Sequence, residues 1–568
     1  MGTALRSKTF NCPVHGHFDL PGECVAVIDT PEFQRLRELK QLGLTYYVYP
    51  GASHARFEHS LGVAYLAGSW AQHLLRNYRP EAVLTREDRH GIRALELGAL
   101  CHDLGHGPFS HVFENELLPR VLGETAASSW HHEDMSERIL DHLVDANHLD
   151  LGPALGSRKD LALVKDLMRG SLAGDDGGGD GSPGSSGGIG IFGSQGARVG
   201  GHHHGAPLLP SDPEKRWLFD ILANKTNGID CDKFDYLARD SRATGVAISL
   251  DFRRIMHYSR IAPSTGQVVF KWSEYENLYR GLFQERATMH SKVYTHRKAK
   301  GIEFLVVDAL FEARDLLGLA GAAWDVEAFL GLDDRVLALV DAMKPDQTDN
   351  PAAVRKAQAL LQRLRRRELY VFCDECNVPA QQQSHFKKPT AEDIVSHHTS
   401  DGLTRLRPED VIVSETRINF TAASANPLNK VMFYSPHGDQ DDEPFGLQQD
   451  QVSSLFGHNH QDHKLRIFCR NRDPRTCEAL RAAFRRWSER QAGWGKQQHS
   501  TPFKFKAAPG AGGGGSGGAS GGGGEARANK RARSLTFGDG NGNGAAQQRQ
   551  QQPAAAADAR LCQTPIPE

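Results

Sequence analysis

The stretch Ala99-Leu100-Cys101-His102-Asp103-Leu104-Gly105-His106-Gly107-Pro108 decides how the chain is read. Apolar residues at helical spacing, Ile92, Leu95 and Ala99, lead into an adjacent His-Asp pair. Gly105, Gly107 and Pro108 then stop the helix, because glycine loosens it and proline cannot continue it. On a helix His102 and His106, four apart, share a face. Neutral imidazole beside carboxylate suits a divalent cation of the zinc, iron or manganese type. Taken alone, the pair fits better a buried histidine whose neighbouring aspartate caps a helix end. The flanking chain decides between the two.

Bulk properties set the bounds. A chain of 568 residues can bury a large core in roughly two to four domains. Hydrophobic content of 39% with 24% charged residues is that of a globular protein. A formal net charge of -2 gives no whole-chain field that would draw nucleic acid or a membrane surface. The 9 cysteines are scattered, and Cys373 and Cys376 form a CxxC with no second pair at zinc-finger spacing. Reduced cytosolic or nuclear thiols are therefore expected. The first ten residues lack a long apolar run, so no signal peptide is expected. No apolar run approaches the length of a bilayer span.

On the N-terminal side, residues 6–30 read as the entry to a folded domain. Thr30-Pro31 starts a helix, with threonine as the cap and proline at the first helical position. Phe33, Leu36 and Leu39 fall on one face; Gln34, Arg37 and Lys40 read as solvated. Residues 46–49, aromatic and β-branched, are expected to be extended. A turn at 50–53 gives way to a helix through Val63, Leu66, Trp70 and Leu74. Arg56 and His59 stand at its start on one face. Free N–H groups beside an arginine favour an anion there, and His59 is placed to join a metal near bound phosphate.

On the C-terminal side, Ser128-Ser129 is predicted to cap a helix that begins at Trp130 and carries His131, His132 and Glu133. Glycine, serine and aspartate dominate residues 172–207, which read as a flexible insertion; its three histidines, 202–204, suit at most an adventitious metal. Asp230, Asp232, Asp235 and Asp240 are crowded for a plain amphipathic helix, since like charges that close repel unless a cation offsets them. Asp232, Lys233, Tyr236 and Asp240 share a helical face. Residues 274–316 are predicted to form a long helix or helix pair, with Arg286, His290 and Tyr294 spaced by four, a stripe that alone suits an interface. Further helices follow over 325–370, ending in a basic run at 363–367. Residues 372–400 are polar and show no period. Strands are predicted at 410–420, 430–434 and 464–469 and a helix at 476–487. Beyond 507 the chain is rich in Gly, Gln and Ala and is expected to be disordered. Within it Asn529-Lys530-Arg531-Ala532-Arg533 suits nuclear import or single-stranded nucleic acid as well as it suits solubility.

The order His59, His102-Asp103, Asp232 resembles the H…HD…D metal signature of the HD-domain phosphohydrolases. Longer strings narrow the resemblance. Phe33-Gln34-Arg35-Leu36-Arg37, Gly51-Ala52-Ser53-His54 with Arg56-Phe57-Glu58-His59-Ser60-Leu61-Gly62, and His102 through His111 are similar to the SAM-and-HD-domain deoxynucleoside triphosphate triphosphohydrolases. So are Asn227-Gly228-Ile229-Asp230 through Asp240, and Tyr294-Thr295-His296. The resemblance covers roughly residues 8–490; the sterile-alpha-motif domain is unmatched, the chain being expected to begin at the catalytic domain. It implies a mainly α fold: a helical HD core in two parts, 1–171 and 208–400, around the insertion 172–207, then a smaller α+β lobe at 401–506 and a disordered tail at 507–568. The implied reaction converts a deoxynucleoside triphosphate to deoxynucleoside and inorganic triphosphate, controlling dNTP pools.

By the same resemblance His59, His102, Asp103 and Asp232 are the metal ligands, with magnesium accompanying the nucleotide. His132 is the proton donor to the leaving sugar oxygen, with His111 and Glu133 as its neighbours. Arg56, His106 and Lys233 clamp the phosphates, with Arg286 as a further contact. Gln41, Leu42, Tyr236, Asp240 and Tyr294 read the sugar, and His290 touches base or phosphate. In animal members a guanine nucleotide and a second deoxynucleotide bind between subunits and assemble a tetramer. Lys8, Asn11, His17, Asp29, Gln34, Arg37, Arg254 and His296 match that group, while two of its basic positions are here Gly446 and Gln449. GTP or dGTP activation and a homo-oligomer, dimer or tetramer, are expected, with the loss of two cations weakening the second polyphosphate site. The expected location is nucleus and/or cytoplasm, with no membrane partner. The competing readings are another HD phosphohydrolase (phosphodiesterase, nucleotidase or nuclease) and a non-catalytic nucleotide- or nucleic-acid-binding scaffold. Arg56, Tyr236, Asp240 and Tyr294 favour a triphosphate on a deoxyribose over the first; an intact His132 speaks against the second.

Overall fold

Thr85 accepts the N–H of Asp88 while the Asp88 carboxylate accepts that of Thr85, and this reciprocal cap starts the central helix, Arg86–Cys101. Its Ile92, Ala94, Leu95, Leu97 and Ala99 are buried in the main core of the computed structural model. The structure describes residues 6–156, 160–171, 213–383, 385–399, 404–420, 426–435, 443–448, 451–453, 460–491 and 494. Residues 172–207, the tail beyond 507 with its basic cluster, and Gln449 lie outside them.

The protein is mainly α-helical. The helix Arg56–Tyr78 packs along Arg86–Cys101, and Cys231–Thr244 packs on the former, so three helices carry the signature residues into one place. Thr30 caps Pro31–Gln34 as its sequence predicts, and Asp230 caps Cys231–Thr244 by accepting from the Lys233 N–H. Two smaller sheets accompany the helices: a hairpin of Lys8–Cys12 with Gly16–Leu20, and Ser259–Ile261, Val268–Lys271 and Phe433–Tyr434. A third sheet places Gln461–Cys469 between Val371–Asn377 and Val411–Asn419, antiparallel to both. Helix Pro474–Glu489 covers it, and Cys373, Leu465, Ile467, Phe484 and Trp487 form a separate small core there. Among the described residues no helix is long and apolar enough to cross a membrane.

Several local expectations are corrected. Residues 46–49 are not extended: Gly43–Tyr47 is a 3-10 helix, and the Thr45 carbonyl accepts from the N–H groups of Val48 and Tyr49. Ser128 and Ser129 do not cap the next helix; their hydroxyls turn back to the carbonyls of Thr125 and Ala126, and His132–Ala146 starts after an extended His131. The strand predicted at 430–434 shortens to Phe433–Tyr434. Residues 277–294 are helical, with two π-helical segments, Asn277–Gln284 and His290–Tyr294, on either side of a short α-helix, Glu285–Met289, and Arg297–Glu312 follows separately. Val371–Asn377 was hidden in the aperiodic stretch because it has a bulge between Phe372 and Asp374 and buries Asp374, whose carboxylate takes the Arg485 guanidinium at 2.9 Å.

Candidate active site

The central helix ends at Cys101, so His102 and His106 do not share a helical face. The chain instead turns sharply, and two glycines make the site. A Cβ on Gly105 would stand 2.1 Å from the His132 carbonyl oxygen, so glycine there lets the His132 helix press against the turn. Ser136 of that helix ties the turn down, accepting from Gly105 N–H and donating to the His102 carbonyl. A Cβ on Gly62 would lie 2.0 Å from Asp235 Oδ1, so the absent side chain admits the Cys231–Thr244 helix beside His59.

These approaches bring His59, His102, Asp103 and Asp232 together. His59 Nε2 is 3.1 Å from Asp232 Oδ1 and 3.6 Å from Asp103 Oδ2. His102 Nε2 is 3.4 Å from Asp103 Oδ1 and 3.6 Å from Asp232 Oδ1. Each ring is held from behind: His59 Nδ1 by Asp235 at 2.7 Å, and His102 Nδ1 by the Ala99 carbonyl at 2.7 Å. Both Nε2 lone pairs are thereby turned inward, the arrangement that orients metal-binding imidazoles. His102 Nε2 is buried with no hydrogen-bond partner, as a ligand atom would be. The ligand atoms of His59, His102 and Asp232 lie close enough together to hold one divalent cation, with the Asp103 carboxylate, which also takes Arg56, beside them. The potential agrees. Burial lowers the His59 pKa, but hydrogen bonds to Asp232 and Asp235 and the charges of Asp235 and Asp103 overcome it and push it up to about 10, so without a cation the carboxylates hold on this ring a proton that a bound cation would displace. Asp235, which the sequence marks only as one of four crowded acids, is the support behind His59 and accepts also from His15 at 2.5 Å and Arg239 at 2.8 Å.

Beside this set lies a histidine cluster. His106 stacks on His132 with ring centroids 4.0 Å apart, and His111 meets His132 edge-on at 5.5 Å. The nearest partner of His132 is not Glu133 but Glu114: Nδ1 to Oε2 is 2.8 Å, against 3.2 Å to Glu133. Glu114 was missed by the sequence reading, although its spacing of three from His111 was a usable signal. Burial lowers the His132 pKa, and the Glu133 and Glu114 carboxylates reverse this to leave it at about 9. His111 moves the other way, down to about 3, through burial and the nearby charges of His132 and Arg56. One imidazole is thus kept charged and its neighbour neutral.

Arg56, almost fully buried, donates through Nη1 to Asp103 at 2.5 Å and through Nε to Ser110 at 2.8 Å, and its Nη2 has no partner. Lys233 pairs with Asp230 at 2.7 Å, and Arg286 donates to the Asn419 carbonyl. Tyr294 donates to Asp240 at 2.8 Å, and His54, a further residue the sequence reading did not assign, holds the other Asp240 oxygen at 2.7 Å. Tyr236 faces Tyr294 ring to ring at 6.3 Å, and His290 stands edge-on to Tyr294 at 4.9 Å. Gln41, Leu42, His111 and Tyr294 line one cavity with Lys300 and Glu303. The predicted regulatory residues lie apart from this cavity: Lys8, Asn11, His17, Asp29, Arg37 and Arg254 are exposed, and Gln34 and His296 half-buried. Arg37 donates to Gln34 at 2.7 Å, and Arg254 pairs with Glu274 at 2.6 Å. Gly446 is exposed.

The HD-domain family pattern matches residues 56–169. The chain is 32% identical over 480 residues to a protein of Dictyostelium discoideum named deoxynucleoside triphosphate triphosphohydrolase SAMHD1 homolog, covering 84% of this chain and 80% of that one. It is 32% identical over 530 residues to the deoxynucleoside triphosphate triphosphohydrolase SAMHD1 of Gallus gallus, covering 88% and 79%. To the Homo sapiens protein of that name it is 30% identical over 503 residues, covering 84% and 73%.

Proposed function

The chain belongs to the SAMHD1 family of deoxynucleoside triphosphate triphosphohydrolases, and from that premise we propose that it hydrolyses a deoxynucleoside triphosphate to the deoxynucleoside and inorganic triphosphate. The observation that carries the reading is His132, held by Glu114 at 2.8 Å, beside Arg56 and the gathered His59, His102, Asp103 and Asp232. His59, His102, Asp103 and Asp232 would hold a divalent cation, which would supply polarisation of the α-phosphate and activation of water. The donor set suits zinc, iron or manganese, with magnesium accompanying the nucleotide.

The protein's own residues do the rest. His132, held through Nδ1, donates from its other nitrogen to the leaving 5′ oxygen, and a pKa near 9 keeps it protonated at neutral pH. Glu114 keeps that ring in place, while His111 and Glu133 complete its surroundings. Arg56, Lys233 and His106 meet the phosphates, and Arg286 extends the clamp. Tyr294 and Asp240, locked by their hydrogen bond, take the sugar: the ring excludes a ribose 2′-hydroxyl, and the carboxylate holds the 3′-hydroxyl. Gln41 and Leu42 line a cavity with Tyr294, Tyr236 meets the Tyr294 ring from outside that lining, and His290 lies toward base or phosphate.

The same reading extends to regulation, where the surface group Lys8, Asn11, Asp29, Gln34, Arg37, Arg254 and His296 takes GTP or dGTP in a dimer or tetramer. The enzyme works in the nucleus and/or cytoplasm, and the basic cluster at 529–533 is the motif through which single-stranded nucleic acid would engage it. The test incubates purified protein with each dNTP and with GTP, adding metals in turn, and resolves the products and oligomer size. Triphosphate plus deoxynucleoside is expected, rising with GTP. Pyrophosphate, monophosphate or cut oligonucleotide as the main product overturns the reaction, and unchanged activity and size with GTP overturn the regulation.

A further inference from the structure

Phe109 and Ser110, with φ of 59° and 58°, stand in the left-handed region immediately before His111. Side chains avoid that region because Cβ crowds the following carbonyl oxygen, so the surrounding structure has to hold such a turn. The holder is Asp334, 225 residues further along the chain. Its Oδ1 accepts the Phe109 N–H at 2.7 Å, and its Oδ2 accepts the Lys40 N–H at 2.9 Å. Lys40 is the neighbour of Gln41, and the turn is the neighbour of His111, so one carboxylate spans the backbones of both. The link continues: Ser110 Oγ donates to the Lys40 carbonyl at 3.2 Å and accepts from Arg56 Nε at 2.8 Å. Asp334 is itself anchored. Its N–H donates to the Glu38 carbonyl at 3.3 Å. The Arg35 guanidinium joins the carbonyls of Leu332, Leu104 and His106, tying this segment to the catalytic turn.

We propose that Asp334 is a positioning residue of the reaction: its carboxylate fixes the spacing between the Lys40 backbone and the Phe109-Ser110 turn, and so the aim of His111 and Arg56. This rests on the function proposed above. A two-acceptor carboxylate is what the geometry requires. Asparagine has the same shape but offers one acceptor and sets an N–H against an N–H. Glutamate is longer but keeps both acceptors.

Full-length, metal-loaded wild type, Asp334→Asn and Asp334→Glu are compared for kcat, KM, bound metal and Tm, using the dNTP that wild type turns over fastest. Asp334→Asn is expected to lower kcat by roughly 10- to 100-fold, since a misplacement of about 1 Å at the reacting groups can cost 10²-fold. Metal content and KM stay near wild type, and Asp334→Glu is faster than Asp334→Asn. Asp334→Asn equal to or faster than Asp334→Glu overturns the proposal, as does a kcat loss that tracks lost metal or lost folded protein. Ser110→Ala leaves Asp334 in place and cuts the next link. It lowers kcat severalfold if the link to Arg56 matters, and unchanged kcat there overturns the proposal even if neither Asp334 variant folds. A wild type that releases no triphosphate defeats the proposed function instead, and the variant-to-wild-type ratio is then taken on the product it does release.

Discussion

Replacing Glu114 with glutamine removes one of the two carboxylates that keep His132 charged while preserving its size. With a pKa of about 9, His132 is roughly nine-tenths protonated at pH 8. Glu133 stays and burial still disfavours the charge, so the pKa falls toward the ordinary range, to between about 6.5 and 7.5. The protonated fraction at pH 8 then drops to between roughly 3 and 24%, and kcat falls by about 4- to 30-fold. At pH 6 both enzymes are largely protonated and their kcat values converge to within about twofold. The assay is kcat against pH from 6 to 9.5 for both proteins. Wild type loses activity as pH rises through about 9, and Glu114→Gln loses it some two units lower. The same sign governs stability. A folded pKa raised above the unfolded 6.5 stabilises the protein fully below pH 6.5, and that contribution is lost as pH rises through about 9. A defect of equal size at every pH would refute this account, because it would make Glu114 a structural residue and not the keeper of a proton.

The double variant His102→Ala, Asp103→Ala is expected to bind no stoichiometric metal by elemental analysis and to show no turnover; retained activity removes the ligand assignment. Asp235→Asn weakens the hold on His59 and lowers metal affinity by roughly 10- to 100-fold, read by competition with a chelator, with the fold intact by circular dichroism. Gly62→Ala drives a methyl into Asp235 and Arg239 and costs about 1–3 kcal/mol in thermal unfolding, together with metal; an unchanged Tm contradicts the close approach.

Much of the fold and site was legible because the signals were local. The apolar run that leads into His102, the threonine-proline start at Thr30 and the crowding of Asp230, Asp232 and Asp235 are all written within a few residues. What failed were features where distant packing overrides local preference. Residues 46–49 have strand-forming side chains, yet the turn at Gly43 and the Thr45 carbonyl wind them into a helix. Val371–Asn377 carries a buried aspartate that erases its alternation.

By itself the sequence named the candidate metal-binding residues and their order, because residue types that suit a cation and turn formers are chemical facts of each position and their order resembles a known signature. Only the tertiary structure decided how they act. It showed that His102 and His106 part at a turn and do not share a helix, that Glu114 joins Glu133 at His132 and stands nearer to it, and that Asp334 accepts from the backbone of the left-handed turn before His111. Those pairings depend on backbones meeting across long sequence separations, and the glycines at 62 and 105 permit that contact by leaving no side chain between them.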